Sequence, residues 1–177
     1  MKDRELILRF FAMQRTTPAG FTSPIKSWLN EEIRENKDMT PQESAEMSAT
    51  FATTIQLVWE VFGDSAFRPV KREAGAGDGP TEEDLSGIFY RDFFESGEIN
   101  VALWDTVMYS FAGRTEEEVV PNRERIMAAF TKLASGPSFR RLLVSQPKAV
   151  VARAEAWGTI MDSICGLRGA GRGAKTR

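Results

Sequence analysis

The sequence predicts an all-α fold, a single domain of about seven helices in an irregular orthogonal bundle, on three observations. Apolar residues recur every three or four positions almost from end to end, and only brief alternating patterns suggest strands. Several of these stripes follow a helix-start signal, either an N-capping hydroxyl with an acid three residues on or a proline at the first helical position. The 177 residues suffice for one core and are short for two, and no repeat of about 30 to 45 residues suggests a solenoid. The domain is read over 1–166, with 167–177 as a flexible basic tail.

The first helix starts almost at Met1, with Leu6, Ile7, Phe10 and Phe11 as its apolar stripe. A turn at "TTPAG" ends it. Ser23 is the expected cap of the second helix and Pro24 its first residue, where the missing N–H costs nothing; Ile25, Trp28, Leu29 and Ile33 form the expected buried face. Thr40, Pro41 and Glu43 give the third helix a capping box and a first-turn proline. Its core positions read Met47, Phe51, Ile55, Val58 and Phe62, and Gly63 ends it. The glycine-rich stretch 69–80 reads as a surface loop with little to bury.

Thr81 and Asp84 resemble another cap, opening a helix that offers Ile88, Phe89, Phe93 and Phe94 and closes at Gly97. Over 99–112, Ile99, Leu103, Val107 and Phe111 repeat every fourth residue, with Trp104 and Met108 widening the stripe; this helix is expected at the centre of the fold. Pro121 is badly placed for a helix starting at Thr115 and well placed for one starting near Val120, which predicts a kink or restart. Gly136 and Pro137 break the chain again before a short helical piece. The last helix carries Val150, Ala154, Trp157, Met161 and Ile164 on one face.

Composition narrows the function by exclusion. Apolar residues at 42% and charged residues at 27% are ordinary for a soluble domain and exclude collagen-like, disordered and membrane classes. A formal net charge of -2 excludes a globally basic nucleic-acid binder while leaving room for a local patch. No apolar run approaches the roughly 18 residues of a membrane span and no signal-peptide core follows the charged N-terminus, so a cytoplasmic protein without membrane contact is expected. Cys165 is the only cysteine, which forbids an internal disulfide and reads as a small core residue. There is no histidine. Imidazole is the commonest general base and metal ligand near neutral pH, so His-dependent triads and Cys/His zinc sites are excluded, and no metal or other cofactor is expected.

Each remaining candidate competes with a plainer reading. The acids of "TEEE" at 115–118 suit a first helical turn, where the helix dipole favours them, better than a metal cluster, because consecutive side chains fan apart. "GAGDG" lacks the Lys-Ser/Thr ending of a phosphate loop. Asp92 and Glu95 share a helix face, as solvated acids commonly do. Arg68, Asn100 and Asp105 lie at or within apolar helix sequence and must find partners; an Arg68–Asp105 pair or an Asn100 cap explains them, the functional alternative being a polar cluster at a partner interface. In the tail, Arg168, Arg172, Lys175 and Arg177 could contact phosphates. Together with Arg140, Arg141 and Arg153 on helices they constitute the nucleic-acid-binding alternative. Trp28, Trp59, Trp104 and Trp157 are expected to divide between core and interface.

The ordered set "MKDRELILRFFAM", "SPIKSWLNEEIREN", "TFATTIQLVWEVFGDSAFR", "INVALWDTVMYSFA" and "PKAVVARAEAWGTIMDSI" resembles the helical C-terminal half of the ParB/sulfiredoxin-like domain of GmrSD-type restriction endonucleases. The resemblance omits the glycine loop, "EEDLSGIFYRDFF" and the tail. It implies a preceding α/β portion with an Asp-Gly-Gln-Arg type motif, and a His-containing nuclease domain that often follows. Neither is present here, so no catalytic residue carries over. By the resemblance Met1 corresponds to an internal position or to the start of a separately encoded half. The implied role is a non-catalytic scaffold or binding half of a bacterial defence protein, partnered by an α/β nucleotidase or nuclease half or by a second copy of itself. An exposed apolar patch is then expected where that partner would sit.

Overall fold

The computed structural model describes residues 2–21, 24–68, 99–144 and 149–167. Among these there is no strand, and there are seven α-helices of eight or more residues, an all-α fold as expected. The Ser23 cap, the loop read at 69–80, the helix read over 81–97, and the tail from Arg168 onward lie outside the described residues.

Helix α1 (Lys2–Thr16) buries Leu6, Phe10, Ala12 and Met13, while Ile7 is exposed and Phe11 half-buried. Helix α2 (Ile25–Glu35) begins one residue later than expected, with Pro24 as its extended cap residue. Trp28 and Leu29 face inward as predicted, but Ile33 is 56% exposed and Glu32 takes the inward position. The rotation has a tertiary cause: α1 presents Arg15 to α2, and the Arg15 Nε donates to Glu32 Oε2 at 2.6 Å. The Asn36 amide donates to the other carboxylate oxygen at 2.7 Å, so the buried acid is satisfied on both sides.

Helix α3 (Pro41–Phe62) has the expected capping box: the Glu43 N–H donates to Thr40 Oγ1 at 3.2 Å, and the Thr40 N–H to Glu43 Oε2 at 3.0 Å. Its buried residues are Thr54, Leu57, Val58, Val61 and Phe62. Of the predicted stripe, Val58 and Phe62 are buried, and Phe51 and Ile55 are partly buried against the core. Gly63 ends the helix at φ +49, a conformation that a Cβ disfavours.

Helix α4 (Val101–Phe111) is the centre of the fold. It packs against α1, α3 and the last helix, and nine of its eleven residues are buried, the polar ones among them being hydrogen-bonded. It starts two residues later than predicted: the Leu103 N–H donates to Asn100 Oδ1 at 3.0 Å, making Asn100 the cap and leaving Ile99 exposed. The buried hydroxyls of Thr106 and Ser110 donate to the carbonyls of Ala102 and Val107 within the helix.

The predicted restart at Pro121 is present. A single turn, α5 (Glu116–Val119), passes into a 3-10 turn at Val120–Asn122 and then into α6 (Arg123–Ser135). Gly136 separates α6 from α7 (Pro137–Val144), and α8 (Val150–Cys165) returns along α4, with Val150, Ala154, Trp157 and Met161 buried as read from its spacing. Phe62, Phe130 and Trp157 link α3, α6 and α8 through ring contacts of 5.0 Å each. A smaller cluster of Ala12, Met13, Trp28, Leu29 and Val150 seals α1 and α2 against the start of α8.

Candidate functional site

The chemically distinctive residues of this chain are buried charges, and each is placed by a helix stripe that carries it inward. Arg9 lies on α1 between Leu6 and Phe10, and Asp105 on α4 between Trp104 and Thr106; both are buried. Arg9 Nε donates to Asp105 Oδ1 at 2.8 Å and a terminal guanidinium nitrogen donates to Oδ2, so the contact is a two-pronged one between residues 96 apart in sequence. Beside it the Trp104 indole N–H donates to the Leu6 carbonyl at 3.0 Å, giving α1 and α4 a second link.

Two more charges complete this network. Glu5, half-exposed one turn before Arg9, approaches its guanidinium at 3.7 Å. Arg153 of α8 is buried, donates to the Leu142 carbonyl at 2.7 Å, and sits within electrostatic reach of Asp105 and Arg9. Burial pushes the Asp105 carboxyl above its ordinary range, opposed by the hydrogen bonds and charge of Arg9 and by the charge of Arg153. Burial also lowers Arg153, whose charge Asp105 favours and Arg9 disfavours. Two acids therefore face two arginines, and three helices meet on one compensated cluster.

A further buried arginine, Arg114, closes the C-terminal end of α4. The Arg114 side chain donates to the Ser110 carbonyl at 3.0 Å, to the Gly166 carbonyl at 3.1 Å and to Asp162 Oδ1 at 2.5 Å, clamping the α4–α5 junction onto the end of α8. Arg9, Glu32 and Arg114 were not among the sequence candidates. Their signal was nonetheless there for Arg9 and Glu32: Arg9 falls three after Leu6 and four before Met13, and Glu32 four after Trp28, so both occupy the spacing of the buried stripe.

The expected polar cluster is thus partly corrected. Asn100 caps α4 as read, and Asp105 is buried as read, but Arg68 is exposed and the partner of Asp105 is Arg9. Arg68 follows Phe67, whose carbonyl accepts from the Asn100 N–H at 2.9 Å at the start of α4, and its side chain is exposed there, whereas α1 lays Arg9 directly over Asp105. Of the helix-borne arginines in the nucleic-acid alternative, Arg140 and Arg153 are buried and so unavailable to phosphates, and Arg141 is exposed. Arg140 donates to the Ala134 carbonyl at 3.2 Å. The sequence could not show this, because an arginine anchored to helix-end carbonyls has the same local pattern as a solvated one.

Among the described residues no group of three or more acids or cysteines is arranged to hold a metal ion, and no helix is long and apolar enough to cross a membrane. Cys165 is half-buried against the core, and burial raises its thiol pKa. On the surface, Trp28, Trp104 and Trp157 are buried while Trp59 is 58% exposed on α3. On the other flank of α3, Glu60 and Val61 line a shallow open depression with Arg123, Glu124, Met127 and Ala128 of α6. Comparison of the chain with family models, with curated proteins and with solved structures finds no match.

Proposed function

We propose that this chain is a non-catalytic helical scaffold or binding half, of the kind its resemblance to GmrSD-type restriction endonucleases implies, working through association with a partner. The observation that carries the reading is how its charges are used. Asp105, Glu32, Arg9 and Arg114 are each committed to joining one helix to another, and large apolar side chains are left exposed among the described residues, including Trp59 on α3, Ile33 on α2 and Ile99 before α4. Buried pairs of this type position helices, and an exposed tryptophan is a frequent anchor of protein interfaces.

The partner fitting this reading is an α/β nucleotidase or nuclease component, and the setting is bacterial defence in the cytoplasm. The test is purification of the native protein from its host at moderate salt, with its intact mass and identification of what accompanies it. Recovery of an α/β component, separate or in the same polypeptide, supports the reading. Recovery of the 19.8 kDa chain with no second component refutes association with a catalytic half.

A further inference from the structure

We propose that α2 is a hinged flap, a helix that swings away from the bundle as one unit about Thr17 and uncovers the apolar patch beneath it while the rest of the fold stays intact. The device belongs to the chain alone and does not depend on a partner.

The connection from α1 to α2 is strained at its first residue. Thr17 has φ +58 and ψ +165, a region essentially confined to glycine, whereas a β-branched residue ahead of a proline is otherwise held extended at negative φ. Its side chain is exposed and makes no capping hydrogen bond, so the strain serves no contact of Thr17 itself. Closure of α2 imposes it. Pro18 is buried, the Trp28 indole N–H donates to Thr16 Oγ1 at 3.1 Å, and the Phe21 and Trp28 rings meet edge to face at 5.1 Å. A backbone held in a sparse conformation by its surroundings relaxes when those contacts part, which puts the stored strain on the side of opening.

Few contacts resist that opening. Helix α2 packs principally on α1, and of its eleven residues only Trp28, Leu29 and Glu32 are buried. Trp28 and Leu29 belong to the small cluster with Ala12, Met13 and Val150, which is separate from the main core. The polar links are the Trp28–Thr16 bond and the Arg15–Glu32 pair, whose arginine side chain is 34% exposed. Between Glu32 and Thr54 no residue is buried, so the far end of α2 can follow the swing without unpacking the bundle. Opening uncovers Ala12, Met13 and Val150, with half-buried Leu8 and Tyr109 at their margin, while Leu103, Phe111 and Trp157 keep their core contacts. A unit joined to the rest by so few buried contacts opens at lower free energy than the whole fold.

Hydrogen exchange of the purified full-length chain, followed by NMR where reclosing outpaces exchange, tests the flap. The amides of residues 29–34 should share one opening equilibrium, at least about tenfold more populated than that of 105–111, and with a weaker dependence on urea because less surface is exposed. Thr17→Gly takes the strain out of the closed state and should slow exchange in α2 about fivefold, which it would not do if the hinge lay elsewhere. Ile126→Val, at a fully buried site of the main core, should speed exchange of 105–111 about fivefold and leave 29–34 unchanged. In a Cys165→Ala background, Ala12→Cys, fully buried in the cluster under α2, should react with a thiol reagent at a rate that follows the opening of α2 and not that of α4. The proposal is overturned by α2 amides that respond to Ile126→Val as α4 does, by protection that only frays from the ends of α2, or by α2 exchange unmoved in Thr17→Gly.

Discussion

Replacing Asp105 with alanine isolates the energetic role of the buried charge cluster. The substitution leaves Arg9 and Arg153 buried and positive without the acid between them, and half-exposed Glu5 is 3.7 Å from Arg9. Charge centres about 4 Å apart attract by about 4 kcal/mol at an effective dielectric constant near 20, and breaking one partner of a buried pair commonly costs about 3–5 kcal/mol. Against a total stability of about 5–15 kcal/mol for a domain, that loss would unfold a large fraction of the protein under mild denaturant. Urea unfolding at pH 7 measures it. Arg9→Met with Asp105→Leu removes both charges and should cost markedly less than the sum of the single substitutions, giving a coupling energy of about 1–3 kcal/mol in a double-mutant cycle. An Asp105→Ala variant within about 1 kcal/mol of wild type, or additive singles, would refute the idea that this pair joins α1 to α4.

The same group sets a pH dependence: burial raises its folded-state pKa above the ordinary 3.8, so the part of the stability that comes from holding its proton is fully present below the unfolded pKa and is lost as pH rises through the folded one, above which the ionised carboxylate pairs with Arg9. NMR titration of the Asp105 carboxyl, compared with unfolding of Asp105→Asn across the acid range, checks the sign. Trp157→Ala at a fully buried site should cost about 3–5 kcal/mol, whereas Trp59→Ala at a mostly exposed one should cost under about 1 kcal/mol, as thermal unfolding would show. Gly63→Ala, with open space around the added Cβ but φ +49, should cost about 1 kcal/mol through backbone strain alone. A neutral result in urea unfolding would count against that conformation.

Some features were legible because their causes are local. The capping box of Thr40 and Glu43, the stop at Gly63, the break around Pro121 and the apolar stripe of α4 each depend on residues within a few positions of one another. Periodicity also named Trp157 and Met161 correctly, since one face of a helix is set by a rotation of 100° per residue. It failed at Ile33 because that face has edges. Leu29 and Ile33 are four apart, and only the position of α1, with Arg15 at hand, turned Glu32 inward in place of Ile33.

The sequence by itself determined that the chain is helical, where most helices begin and break, that histidine chemistry is excluded, and that α4 belongs at the centre. The tertiary structure decided which charge meets which. Arg9 and Asp105 are 96 residues apart, and Arg114 reaches Asp162 and Gly166 about 50 positions on. Local spacing puts Arg9 on a buried stripe but does not name Asp105 as its partner. The pairing follows from which helix lies across α4, a choice made by the fit of whole apolar faces, and a charge caught in that contact must then find the opposite charge the packing brings to it.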